Sequence, residues 1–274
     1  MANIDNGDLR VEDLRTEAHL WCVDTAALAS RDFSGELAEC MSDGERRRYA
    51  AFTESKSRLQ YLVSRVLRRR ALSAYWPLAT GDWRFERTPH GRPRLAPSLQ
   101  QIPLRFSLSH TEGLVVCLIT GEFDGGVDVE RTARIVDSER LARRWFSSRE
   151  AQEISVLRGE ARQSRFIDHW TLKEAYMKAR GLSSVSLYRE ASFELALGTI
   201  RATLADQAEG STGKWSFALF DLLLKYRAAV CIHNDAQIDL GLELIQHDLT
   251  NGVSVRIDKS SNTRPKFGST VVGS

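Results

Sequence analysis

The sequence predicts an α+β protein built from two α/β halves, and three observations predict it. The chain has 274 residues, 42% hydrophobic and 27% charged, a mix that belongs to a globular enzyme and excludes a disordered or collagen-like chain. Apolar residues recur at helical spacing in two long stretches, residues 42–75 and 162–180. Short apolar runs of strand length lie on both sides of the Gly125-Gly126 turn. The length allows one large domain or two smaller, closely packed ones.

In chain order, residues 1–17 read as a polar lead-in and 18–23 as a first strand. Ser42 and Glu45 form a capping box that starts a helical region running to Tyr75. Within it, residues 60–75 read as one long helix stopped near Trp76-Pro77. Residues 80–105 carry turn chemistry, and strands follow at 106–110, 114–120 and 127–130. In the second half, 138–145 is helical and Ser147 and Ser148 cap a further helix with Glu150 and Glu153 in its first turns. Residues 162–180 form a helix ended by Gly181, and strands are expected around 192–195, 215–222 and 228–232. Residues 18–125 and 126–246 are thus the two halves, and 247–274, polar and poor in large apolar residues, reads as a disordered tail.

Charge and cysteine usage exclude several classes. The 38 cations against 36 anions leave a net +2, short of the basic excess of a dedicated nucleic-acid binder. Of the cations 31 are Arg, which either reflects codon usage or a polyphosphate ligand gripped by guanidinium forks. Cys22, Cys40, Cys117 and Cys231 are far apart, with no metal or disulfide spacing, and Cys117 and Cys231 read as small core residues. No secretory leader and no membrane-length apolar run is visible, so a soluble cytoplasmic protein is expected.

The chemical signals come in order of strength. In Gly126-Val127-Asp128-Val129-Glu130, alternate residues of a strand share a face, so Asp128 and Glu130 project together while Val127 and Val129 face a core. Neighbouring carboxylates repel unless a cation lies between them, and Mg²⁺ takes one or two carboxylates with phosphate oxygens and water. A solvated edge strand with two exposed acids is the simpler reading of that spacing alone. On the following helix, Ile167, Trp170, Glu174 and Met177 fall on one stripe, which sets Glu174 among apolar residues and in need of a partner. A structural Glu174–Lys178 ion pair stands beside a reading in which Glu174 is a third metal carboxylate and Lys178 a phosphate contact. In Phe106-Ser107-Leu108-Ser109-His110 the adjacent Ser109 and His110 point to opposite faces, which argues against a Ser–His hydrolase pair, and no G-x-S-x-G elbow exists. Gly91-Arg92-Pro93 presents a cation on a tight turn, and Arg46 to Arg48, Lys56, Arg58 and Arg65 add positive charge on the first helical region.

Read together, G-R-P (91–93), F-S-L-S-H-T (106–111), G-V-D-V-E (126–130), W-F-S-S-R-E (145–150) and W-T-L-K-E-A-Y-M-K-A-R-G-L (170–182) form an ordered set. Over roughly residues 40–200 that set resembles the Sfp-type 4'-phosphopantetheinyl transferases. The resemblance implies two similar α/β halves in a single-chain pseudo-dimer, a monomer with pseudo-twofold symmetry that binds coenzyme A. It implies transfer of the phosphopantetheine arm to a serine of an acyl or peptidyl carrier protein, releasing adenosine 3',5'-bisphosphate. Carried over by position, Asp128, Glu130 and Glu174 are the Mg²⁺ carboxylates. Asp128, Glu174 and Lys178 are the catalytic set, with Glu174 as base, directly or through a water. Lys173 and Lys178 are assigned to coenzyme A, Lys178 facing its pyrophosphate. Ser109 and His110 lie near the 3'-phosphate, and Arg92 takes the place of the usual lysine of the turn. Arg58 and Arg65 compete for the first-helix arginine near the same phosphate. The family usually has Asn where this chain has Ser107, which together with Arg92 bears on nucleotide affinity and leaves the carboxylates untouched. The W…K-E-A form resembles members that serve secondary-metabolite synthases. The carrier's acidic helix implies a basic or apolar patch to receive it. A non-catalytic binder of coenzyme A or a carrier, and a nucleotide-phosphate hydrolase using the same acids, are the competing classes.

Overall fold

A computed structural model describes residues 3–4, 9–28, 40–133, 136–182, 187–196, 199–204, 214–234, 240–249, 252–256 and 270–271. In chain order these form β1 (Asn3–Ile4), β2 (Glu17–Asp24), α1 (Asp43–Ala50), α2 (Ser55–Ser73), β3 (Phe85–Arg87), β4 (Pro93–Leu95), β5 (Arg105–Thr111) and β6 (Leu114–Thr120). Then come β7 (Asp124–Arg131), α3 (Ser138–Trp145), α4 (Ser148–Val156), α5 (Gly159–Arg180), α6 (Leu187–Glu190), β8 (Ala191–Ala196), β9 (Thr199–Leu204), β10 (Lys214–Leu222) and β11 (Tyr226–Asn234). β12 (Gly241–His247), β13 (Ser254–Arg256) and β14 (Thr270–Val271) follow. The chain divides into two compact units, the α+β arrangement expected from the pattern. One is drawn from Met1–Thr88, Pro93–Glu122 and Leu240–Arg264, the other from Pro89–Arg92, Phe123–Asp239 and Pro265–Ser274.

The first unit holds a six-stranded sheet in the order β1-β13-β12-β2-β6-β5. Every residue of β6 is buried, because a strand covered on both faces carries a continuous apolar run. The helix α2 covers one face, its Leu62, Val63, Val66 and Leu67 sharing a core with Val115, Cys117 and Ile119. The capping box forms as the sequence predicts, Ser42 and Glu45 each satisfying the other's backbone N–H. The expected helical region 42–75 is interrupted: α1 ends at Ala50, and Glu54 takes an extended conformation as N-cap of α2. A continuous helix would separate Glu45 from Arg68 by about 35 Å at 1.5 Å per residue. The break instead lets Glu45 meet Arg68 at 2.9 Å and Arg69 at 2.6 Å.

The second unit holds the antiparallel sheet β10-β11-β7 and a second sheet β14-β9-β8. The helix α5 lies along β7 and β11, with Leu172, Ala175, Tyr176 and Ala179 in a core with Phe217, Ala229 and Cys231. It begins at Gly159, three residues earlier than its apolar pattern, and ends at Gly181, whose φ of 65° supplies the left-handed cap. Small residues set the spacing of helix and strand. A Cβ built on Gly126 would fall inside the Ala175 carbonyl oxygen and the Ala179 amide nitrogen, so only glycine permits this approach.

Three boundaries differ from the sequence expectation. The lead-in 1–17 is not merely polar, since Leu9 and Leu14 are buried in the first core. Residues 241–247, expected in the second half, form β12, which pairs in parallel with β2 and sets Leu242 opposite Ala18 and Leu244 opposite Leu20. That pairing joins segments more than 200 residues apart, so no local pattern reports it. Of the expected tail 247–274, Ser254–Arg256 is a strand paired with β12, while residues 250–251, 257–269 and 272–274 lie outside the described residues. All four cysteines are free, and Cys117 and Cys231 are fully buried as expected. Among the described residues no helix is long and apolar enough to cross a membrane.

Replacing Gly126 by Ala should separate α5 from β7, because the clash is with helix backbone and no flexible side chain can yield. A loss of about 2 kcal/mol or more in urea unfolding is expected, the upper range for overpacking; a variant as stable as the parent would disprove the close approach.

Candidate active site

The two elements that touch at Gly126 carry the candidate reactive groups. Gly126, Asp128 and Glu130 leave one face of β7, the face that packs on α5, while Val127 and Val129 are buried on the other. Asp128 is 5% exposed, and Lys178 of α5 donates from Nζ to its Oδ1 at 2.7 Å. Glu130 lies opposite Arg227 of β11 in the strand register, a cross-strand pairing of opposite charge. Arg227 also binds Asp168 of α5 at 2.6 Å, which ties helix to sheet at that end. Glu174, one turn before Lys178, is half-buried and accepts a hydrogen bond from the Tyr188 hydroxyl. Burial, and then Glu174, push the Tyr188 phenol up. The apolar stripe expected around Glu174 is present, with Ile167 and Met177 buried and Trp170 half-buried, but nothing in the sequence pattern marked Tyr188.

Lys173 corrects one expectation. Its ammonium is fully buried, and its three hydrogens meet three oxygens: Glu150 at 2.9 Å, the Tyr188 carbonyl at 2.7 Å and the Ala191 carbonyl. No donor is left for coenzyme A, so Lys173 is part of the frame. Glu150 also accepts from the Phe193 amide at 2.9 Å, and its Oε1 lies 3.3 Å from His169 Nδ1. Burial alone would raise the Glu150 carboxyl, but the His169 contact and the Lys173 charge outweigh it and hold it down at about 2. Burial opposes protonation of His169 as well, yet Glu150 and Glu153 together raise it above its ordinary value.

Arg92 has a backbone role that its motif did not indicate. Its guanidinium donates to the Ala179 carbonyl at 2.6 Å and to the Gly125 carbonyl at 3.1 Å, and its Cδ rests near Gly181. These bonds satisfy the C-terminal end of α5 and the start of β7, a favourable place for a cation. They use two of the five N–H donors of the guanidinium, on the residue to which the resemblance gave a coenzyme A contact.

In the first unit the capping-box glutamate gathers a cluster of arginines around a cavity of about 280 Å³, lined by Arg48, Arg65, Arg68, Arg69, Arg84 and Arg87 among others. Arg68 and Arg69 are 1% exposed and share Glu45. Burial would raise Glu45, and the Arg69 hydrogen bond and charge bring it down to about 2. Arg65 stacks over Tyr61 with 4.7 Å to the ring centroid. Burial, with Arg87 and Arg69 nearby, lowers its pKa despite opposing Tyr61 and Glu45. The Nε atoms of Arg65, Arg68 and Arg69 are buried with no hydrogen-bond partner among the described residues. Cations in excess of acceptors suit an anion with several oxygens. Arg58 also has a buried, unpartnered Nε but lies outside this cavity, over Tyr49 at 5.9 Å. Ser109 is buried and His110 exposed on β5, the alternation expected of a strand. Gln60 donates to the Thr111 carbonyl at 2.6 Å, which joins the early turns of α2 to the end of β5.

The donor set on β7 and α5 fits a hard divalent cation in chemistry, being all carboxylate oxygen on two packed elements. Among the described residues, however, no three His, Cys, Asp or Glu side chains are gathered closely enough to hold a metal ion.

Comparison with known proteins bears on both units. Residues 125–231 match the 4'-phosphopantetheinyl transferase superfamily, and residues 29–122 match the domain described as 4'-phosphopantetheinyl transferase, N-terminal. The chain is 32% identical over 168 residues to 4'-phosphopantetheinyl transferase HetI of Nostoc, covering 61% of this chain and 70% of that one. It is 27% identical to 4'-phosphopantetheinyl transferase Sfp of Bacillus subtilis, covering 56% of this chain and 65% of Sfp. It is 26% identical to the L-aminoadipate-semialdehyde dehydrogenase-phosphopantetheinyl transferase of Xenopus laevis, covering 58% of this chain and 55% of that one.

The buried charges make a pH prediction. Glu150 and Glu45 have folded values near 2 against an ordinary 4.5, so their contribution to stability is complete above 4.5 and is lost as pH falls towards 2. The melting temperature, followed by circular dichroism, should fall through that window. Glu150→Gln should lose about 3–5 kcal/mol at pH 7, because Lys173 and His169 would then face a neutral amide. An unchanged melting temperature would refute the buried network.

Proposed function

Since the chain belongs to the 4'-phosphopantetheinyl transferase superfamily, we propose that it moves the phosphopantetheine arm of coenzyme A onto a serine hydroxyl of an acyl or peptidyl carrier protein. The observation that carries the reading is the joint placement of Asp128, Glu174 and Lys178 on the strand and helix held together at Gly126. On the same reading the enzyme is a cytoplasmic monomer serving fatty-acid, polyketide or nonribosomal-peptide synthesis, with secondary metabolism favoured by its W…K-E-A form.

The chemistry is a displacement at phosphorus, in which positioning and charge stabilisation do most of the work. The serine oxygen bonds to the phosphorus that bears the pantetheine arm, and the bond from that phosphorus to the bridging oxygen breaks. Adenosine 3',5'-bisphosphate leaves, and the serine proton passes to the Glu174 carboxylate, directly or through a water. Lys178, beside Asp128, supplies positive charge for the pyrophosphate. Asp128, Glu130 and Glu174 would hold Mg²⁺, which offsets charge on the pyrophosphate when bound. The arginine cavity of the first unit is the natural anchor for the 3'-phosphate, and its lining favours Arg65 over Arg58. Ser109 and His110 are outside that lining, and their role near the 3'-phosphate rests on their motif alone. Binding energy at that distant phosphate orients the reacting centre.

Mass spectrometry of apo carrier proteins incubated with coenzyme A and Mg²⁺ tests the reaction. A gain of one phosphopantetheine mass is expected, abolished by EDTA, and no gain across fatty-acid, polyketide and peptide carriers would end the proposal. Release of adenosine bisphosphate without a carrier would point to a hydrolase. Asp128→Ala should abolish transfer while the protein still melts cooperatively; undiminished transfer would remove Asp128 from the site.

Arg65→Ala should raise KM for coenzyme A by roughly 10-fold or more, the scale of a lost charged hydrogen bond, with little change in kcat. Arg58→Ala should stay within about twofold, and the reverse ranking would move the anchor to Arg58.

A further inference from the structure

We propose that Tyr188 is a positioning residue that fixes the Glu174 carboxylate for transfer, and that the buried Lys173 exists to hold Tyr188 in place. The proposal rests on the transferase reading of Glu174 and adds a residue that the ordered motifs do not contain.

The geometry is a clamp on one side chain. Lys173 and Glu174 are consecutive on α5, about 100° apart around the helix, and each grips a different end of Tyr188. Lys173 Nζ binds the Tyr188 backbone carbonyl at 2.7 Å, and the Tyr188 hydroxyl donates to Glu174 Oε1. Between these ends the ring is packed against two tryptophans, with centroids 5.8 Å from Trp145 of α3 and 5.6 Å from Trp170 of α5. Trp170 is itself stacked on Phe166 at 5.8 Å, which continues the aromatic wall along the helix. A phenol held by its backbone, both its neighbours and its hydroxyl has little rotational freedom, and its polar atom is directed at the proposed base.

The cost of this arrangement shows that it is not incidental packing. A lysine ammonium with no exposure carries a large desolvation penalty, offset here by Glu150 and two carbonyls. Two of those three partners, the carbonyls of Tyr188 and Ala191, bracket the segment that delivers the phenol. A leucine or methionine could fill the same space without that penalty, but could not tether the segment. A carboxylate on a helix has three rotatable bonds, and a donor fixed by its own surroundings restricts them, as groups behind a reacting side chain commonly do.

Tyr188→Phe separates the hydroxyl from the ring, since phenylalanine keeps the contacts with Trp145 and Trp170. Transfer by the wild-type protein is measured first, with coenzyme A, an apo carrier and Mg²⁺. In the variant kcat should fall about tenfold, the size of one lost hydrogen bond to a charged group, with KM for coenzyme A within twofold. Independently of turnover, Mn²⁺ affinity followed by electron paramagnetic resonance should weaken about tenfold. On a Glu174→Gln background the same substitution should weaken Mn²⁺ binding no further, because both changes remove one interaction. Unchanged kcat and Mn²⁺ affinity, or additive losses in the double variant, would overturn the proposal. A variant melting more than about 10 °C below the parent would make the hydroxyl a folding element and overturn it as well. Absence of transfer by the wild type would instead sink the transferase reading, and the Mn²⁺ comparison would still decide the role of Tyr188.

Discussion

The contact of Gly126 with the backbone of Ala175 and Ala179 is the constraint on which the second unit depends. A strand and a helix normally stand apart by the thickness of two side-chain layers. Here one layer is missing, so the carboxylates of β7 and the residues flanking the alanine stripe of α5 meet at hydrogen-bond range. Asp128 and Lys178 join at 2.7 Å because of it. Arg92 and Gly181 secure the same joint from its end: the left-handed glycine stops α5, and the guanidinium ties its last turn to Gly125.

A second device recurs in both units. Each has a Ser-x-x-Glu capping box at the start of a short helix, Ser42 with Glu45 and Ser147 with Glu150. In each, that glutamate is also the counter-ion of cations on the long helix that follows, Arg68 and Arg69 in one case and His169 and Lys173 in the other. One carboxylate thus completes the start of a helix and neutralises buried charge about twenty residues on. Burial would raise both glutamates, but the hydrogen bonds and charges of those cations hold them near 2, well below the ordinary carboxylate range. The consequences differ. Around Glu45 the cations outnumber the acid and face a cavity suited to an anion. Around Glu150 the charges close on one another and serve as a fixed frame behind Glu174.

The division into helices and strands was largely legible, because it rests on local periodicity and on caps. Ser42, Glu45, Ser147, Glu150 and Gly181 mark their helix ends as read. The shared face of Asp128 and Glu130 follows from strand alternation alone. What local pattern could not give were contacts between distant segments. The break between α1 and α2 follows from Glu45 reaching Arg68 and Arg69, and β12 belongs with β2 through a parallel pairing of remote segments. Lys173 and Lys178 are the same residue type on one helix, about 140° apart around its axis. One is sealed under Tyr188 and Ala191 and the other is free to reach Asp128, a difference set by what packs over the helix.

The sequence by itself determined the class of fold, the two-part layout, the acids on β7 and the family to which the ordered motifs belong. These are properties of neighbouring residues, whose alternation and spacing persist whatever they later touch. The tertiary structure alone decided which cations are frame and which face open space. It turned Lys173 and Arg92 inward, gathered Arg65 with Arg68 and Arg69 around a cavity, and brought Tyr188 to Glu174. Desolvation and hydrogen-bond partnership depend on three-dimensional neighbours, and those are fixed only when helix, strand and loop have packed.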